Sequence, residues 1–93
     1  MIVGVIDWQL EVVGSQSLKD KRRVLRSLKD RLRARLNVSV AETAHQDLWQ
    51  RARLSACVVA TDRRGAEQVL QSADRLVASE ARARIISARS DYY

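Results

Sequence analysis

Strict alternation of apolar and polar residues at the start, two stretches of helical apolar periodicity, and short apolar runs after each of them together predict an α+β fold. In order the elements read β-α-β-β-α-β, which is two split βαβ units. That pattern specifies a ferredoxin-like βαββαβ plait, a four-stranded antiparallel sheet with two helices on one face. The 93 residues suit one domain spanning 1–93. With 46% hydrophobic and 30% charged residues the chain is globular in composition rather than disordered. There is no proline and there are only three glycines, so tight-turn chemistry is scarce and long regular elements are favoured.

Residues 2–13 form the first strand. Ile2, Gly4, Ile6, Trp8, Leu10 and Val12 share one face, and Val3, Val5, Asp7, Gln9, Glu11 and Val13 share the other. The first set reads as buried, with Gly4 letting a helix approach closely. Ser17 stands before the first helix with Asp20 three residues on, a capping-box-like start whose carboxylate also suits the positive helix end. Leu18, Leu25, Leu28, Leu32 and Leu36 make its apolar stripe, with Val24 at the edge. Residues 37–44 give a second strand in which Val38, Val40 and Glu42 are in phase. His45 to Arg51 connect it to a third, residues 52–61, whose two faces are both apolar enough to leave the inward one unassigned. Asp62 caps a second helix carrying Ala66, Val69, Leu70, Ala73, Leu76 and Val77 at i, i+3, i+4 and i+7 spacing. Residues 83–90 form the last strand, and Asp91-Tyr92-Tyr93 follow it. The sheet face away from the helices is left uncovered. Val3 and Val5 lie on it, and it is the expected surface for a homodimer.

Charge is concentrated on one element. Leu18 to Leu36 carry nine Lys or Arg and two Asp, a net +7, while the rest of the chain is close to neutral against an overall +6. At about 100° per residue, Arg22, Arg26, Lys29 and Arg33 fall on one line along the first helix, and Lys19 and Arg23 flank it. A row of guanidinium and ammonium groups suits repeated phosphates, so RNA or a ribosomal particle is the expected partner. A plain solvated helix face, or an acidic protein partner, accounts for the same charges. Lys21 departs from the row. Its angle places it beside the leucines, where its stem covers the core edge and its ammonium reaches a strand-end carboxylate or carbonyl.

Other chemistry is poorly supported. His45, with Asp47 two residues on, lacks a nucleophile or a second ligand. No metal-ligand spacing, phosphate-cradling glycine loop or serine-nucleophile motif occurs, so neither catalysis nor any cofactor is expected. Cys57, the single cysteine, sits in an apolar run and reads as a small buried hydrophobe, compatible with a reducing compartment. RNA-recognition domains of this strand order stack bases on third-strand aromatics, and here that strand has none, so sequence-specific single-strand readout is not expected. Trp8 is expected to fill the core end. Trp49 is expected to pack over the sheet edge or to anchor an interface, including one across a dimer. The start of the chain lacks a basic region before its apolar residues, and no run is long enough to span a bilayer, so no membrane partner is expected and the cytoplasm is the expected compartment.

Three segments carry a family resemblance: "MIVGV" at the start, "SLKDKRRVLRSLKDRLRARLNVSVAE" from Ser17 to Glu42, and "DLWQRA" from Asp47 to Ala52. They resemble the YlxP-like family of small bacterial proteins, along nearly the whole chain and least after about Arg82. The resemblance implies a ferredoxin-like domain of unknown function. It also implies genes that lie beside those for translation initiation and ribosome-binding factor A, a neighbourhood that points by association to ribosome assembly or RNA. No catalytic residues come with it. Lys19, Lys21, Arg22 and Arg23 match its motif.

Overall fold

Every even-numbered residue of the first strand from Gly4 to Val12 is buried, and its odd-numbered neighbours are only half-buried, so the strand meets helices on one face alone. The computed structural model describes all 93 residues, Met1–Tyr93. The elements are β1 (Ile2–Val12), α1 (Leu18–Arg35), β2 (Ser39–Ala44), β3 (Arg51–Ala60), α2 (Arg63–Ala78) and β4 (Ala83–Tyr92). The sheet order is β2-β3-β1-β4, with every neighbouring pair antiparallel. This is the ferredoxin-like plait the element order predicts.

Both helices are stopped and started by their caps. The Ser17 hydroxyl accepts from the Asp20 backbone N–H at 3.0 Å, and the Asp20 carboxylate accepts in return from the Gln16 N–H at 3.2 Å. Asp62 accepts from the Gly65 N–H at 2.7 Å. The core gathers Ile6, Trp8, Leu10 and Val12 of β1, the α1 leucines 25, 28 and 32, and Ala66, Leu70, Ala73, Leu76 and Val77 of α2. The ambiguous third strand turns Ala52, Leu54, Ala56 and Val58 inward. Trp8 is fully buried and donates its indole N–H to Asp74 Oδ1 at 2.8 Å, tying β1 to α2. A Cβ on Gly4 would stand 3.1 Å from Leu70 Cδ1 and 3.3 Å from both Ala66 Cβ and Tyr92 Cε1, so the close approach of α2 depends on this glycine.

Five strand boundaries and the placement of one residue differ from the sequence expectations. β4 continues past residue 90, because Val3 and Tyr93 exchange both backbone hydrogen bonds at 2.9 Å and the Tyr92 ring lies 4.5 Å beneath the Arg63 guanidinium. β3 runs from Arg51 to Ala60, one residue earlier at each end, β1 stops at Val12, and β2 begins only at Ser39. Cys57 pairs with Val5 on the open face and is partly exposed rather than buried, because the smaller Ala56 and the larger Val58 on either side of it take the inward positions. Neither helix is long and apolar enough to cross a membrane.

Candidate nucleic-acid interface

Helix α1 lies with Lys21, Val24, Leu25, Leu28 and Leu32 buried against the sheet. The opposite side presents Lys19, Arg22, Arg23 and Arg26, which alone line an open concavity of about 530 Å³. All four are exposed and none forms an ion pair with a carboxylate of the protein. At one and two turns' separation they offer cationic groups over the first half of the helix, where a chain of phosphates finds several at once. Lys29, half-buried one turn further on, is likewise outside every ion pair.

The far end of the row is different. Arg33 Nη2 donates to the Val40 carbonyl at 2.9 Å, and Nη1 stands 4.0 Å from Asp30 Oδ1. Angle alone places Arg33 in the row, but the row's flank faces the edge strand β2, and there a long arginine finds a main-chain acceptor. Arg31, on the other flank, is paired with Glu80. The free cations of the row therefore end at Lys29, and Arg35, exposed in the last turn of α1, lies outside the row.

Lys21 is completely buried. Its ammonium reaches Glu42 Oε2 at 2.9 Å and donates to the carbonyls of His45 at 2.8 Å, Arg51 at 3.3 Å and Gln46 at 3.4 Å. The expected carboxylate and carbonyl partners are both present, but the ammonium reaches them inward rather than by rising to solvent. His45 makes this possible. Its φ of 63° is the left-handed conformation, in which histidine is enriched among non-glycine residues, and it turns the chain out of β2 with its carbonyl aimed at Lys21. The Glu42 carboxylate is thereby committed to Lys21, and no group of three or more His, Cys, Asp or Glu side chains comes together as a metal site.

Glu80 is a second buried charge. It receives Arg82 Nη2 at 2.8 Å and Arg82 Nε at 3.0 Å, and it is also paired with Arg31 of α1. Hydrogen bonding to Arg82, backed by its charge and by Arg31, outweighs burial and holds the Glu80 carboxyl down to about 2. The sequence offers no sign of this clasp, since 49 residues separate Arg31 from Glu80.

The remaining expected interface residues lie apart from one another. Val3 and Val5 are half-buried on the open sheet face, opposite Val59 and Cys57. That apolar area is confined to one end, because Asp7, Ser55, Thr43 and Arg53 form a hydrogen-bonded polar belt beside it. Trp49 lies outside the core. It is 54% exposed on the loop between β2 and β3.

The chain belongs to the family described as "Protein of unknown function (DUF503)", whose pattern matches residues 3–90. It is 33% identical over 70 residues to the uncharacterized protein YlxP of Bacillus subtilis (strain 168), covering 75% of this chain and 76% of that one. In fold it is similar to a C-terminal segment of the alpha subunit of aIF2 from Pyrococcus abyssi, with a TM-score of 0.53 and 24% identity. That likeness covers 95% of this chain but 49% of the other, so the chain spans about half the length of that solved relative.

Proposed function

We propose that this protein is an RNA- or ribosome-associated accessory factor that contacts phosphates through the exposed side of α1. One observation carries the proposal: Lys19, Arg22, Arg23 and Arg26 share a single concavity and are left without carboxylate partners. Four like charges on adjacent turns repel one another, and an anionic polymer relieves that repulsion while releasing its own counterions. Arginine adds bidentate geometry that a merely solubilising lysine surface does not need. The resemblance to a family whose genes lie near translation genes agrees with this partner.

The test is binding of RNA to the wild type and to Arg22→Glu with Arg26→Glu. Four phosphate contacts give a log–log salt slope of about −3 for single strands. The double reversal weakens the binding about 100-fold at low salt while circular dichroism and melting temperature stay near the wild type. Binding that ignores both salt and the reversals overturns the proposal. A second reading is self-association through Val3, Val5 and Val59, favoured by the partly exposed apolar end of the open face. Sedimentation across micromolar concentrations checks it, since a monomer throughout removes it.

A further inference from the structure

The two tryptophans have opposite surroundings. Trp8 is fully buried with its indole N–H satisfied by Asp74. Trp49 projects from a loop of otherwise polar side chains, apart from Leu48, which is also 47% exposed. About half of this large aromatic side chain is left in water, and tryptophan is enriched where proteins make contacts.

The loop that carries Trp49 is fixed at both ends to the start of α1. Lys21 holds the carbonyls of His45 and Gln46 on one side of it and of Arg51 on the other. Gln50, next to Trp49, donates its side-chain amide to the Ser15 carbonyl at 3.0 Å, and its own carbonyl accepts from the Val12 N–H at 2.9 Å. Leu48 N–H closes a turn onto the His45 carbonyl at 3.0 Å. Lys21, the residue before Arg22, holds the His45 and Gln46 carbonyls, so the loop begins against the first turn of α1. The basic concavity and the exposed indole thus occupy one end of the molecule, joined by a buried lysine. Asp47 is the one acidic side chain in the loop.

We propose that Trp49 is a base-stacking platform, and that the RNA is recognised at an unpaired nucleotide, in a single strand or a loop, next to the phosphates held by Lys19, Arg22, Arg23 and Arg26. The proposal rests on the phosphate-binding function above and adds the class of RNA. Every base has a π-face, so such stacking tolerates sequence but requires the base to be free of a duplex. Anchoring the loop at both ends means that little order need be gained on binding. Third-strand aromatics, the usual platform in this topology, are absent, and the hairpin loop supplies the ring in their place.

The experiment measures anisotropy of a labelled single-stranded oligoribonucleotide and of a labelled RNA duplex, against wild type, Trp49→Ala, Trp49→Phe and the Arg22→Glu/Arg26→Glu variant, with intrinsic fluorescence read in parallel. Trp49→Ala weakens single-strand binding about tenfold, leaves duplex binding within about twofold, and Trp49→Phe restores most of the loss. Single-stranded RNA quenches indole emission in the wild type and not in Trp49→Phe, whose remaining tryptophan is the buried Trp8. Equal losses for both RNAs, or no loss and no quenching, overturn the stacking proposal. If the charge reversals weaken binding while Trp49→Ala binds like the wild type, stacking falls and the phosphate function stands. If the charge reversals bind like the wild type, the phosphate function itself falls.

Discussion

Helices α1 and α2 cover the same face of the same sheet, yet they dispose of charge in opposite ways. α2 holds three arginines against two acids, and most of these side chains are engaged. Arg63 pairs with Glu67 at 3.0 Å and lies over Tyr92, Asp74 accepts from Trp8, and Arg75 leans on Ser72. α1 holds nine Lys or Arg against two aspartates, and most of the excess stays unpaired. A helix needs an apolar face and two caps to sit on this sheet, and both have them. The cations of α1 beyond Lys21, Arg31 and Arg33 are therefore surplus to folding, and a partner outside the molecule is the place to look for their use.

Four measurements break or sharpen that contrast. The largest effect falls on the one cation of α1 that folding does use. Lys21→Met leaves Glu42 and three carbonyls without their donor, so urea unfolding should lose about 3–5 kcal/mol. Adding Glu42→Gln to it should recover part of that loss, because the buried charge goes too. Next comes the surplus itself: Arg22→Glu with Arg26→Glu should cost RNA affinity about 100-fold, or about 2.7 kcal/mol, at low salt with little change in stability. Reversing Arg63 and Arg64 of α2 should cost less than about threefold, and a larger loss would erase the contrast between the helices.

The third measurement concerns Glu80, which ties α1 through Arg31 to Arg82 in the turn before β4. Its carboxyl is depressed to about 2 when folded, against about 4.3 in an unfolded chain. The stability it contributes is thus fully present above pH 4.5 or so and is lost as pH falls towards 2. Melting temperatures of wild type and Glu80→Gln should differ near neutrality, by the equivalent of about 2 kcal/mol, and converge at the acid end. The smallest effect is Arg63→Ala, expected to lower stability by no more than about 1 kcal/mol, since both its ion pair and its ring contact are largely exposed.

How far the sequence spoke depended on whether a feature was local. The caps at Ser17 and Asp62, the leucine stripe and the alternation of β1 are all properties of neighbouring residues, and each appears as its spacing requires. The odd angle of Lys21 was visible for the same reason, but its full burial was not, because that depends on carbonyls delivered by a left-handed His45 in another element. Arg33 looked equivalent to Arg22 by angle, and only the position of β2 separates them. The inward face of β3 and the place of Cys57 were unreadable from a run apolar on both sides, since pairing with β1 decides them. Trp49 carried no periodic signal at all. It sits in a loop whose ends are tied to Lys21 and Ser15, contacts between distant parts of the chain.

The diversion of Arg33 has a consequence for molecules crowded together. β2 is an outer strand of only six residues, kinked between Glu42 and Ala44, and the Arg33 guanidinium sits on its Val40 carbonyl. A short, bulged border with a cation resting on it is a poor template for another chain to extend the sheet. Many copies gathered along one polyanion would be held at high local concentration, the condition that most favours edge-to-edge fibril growth. The same helix that would gather them also guards the border at which such growth would begin.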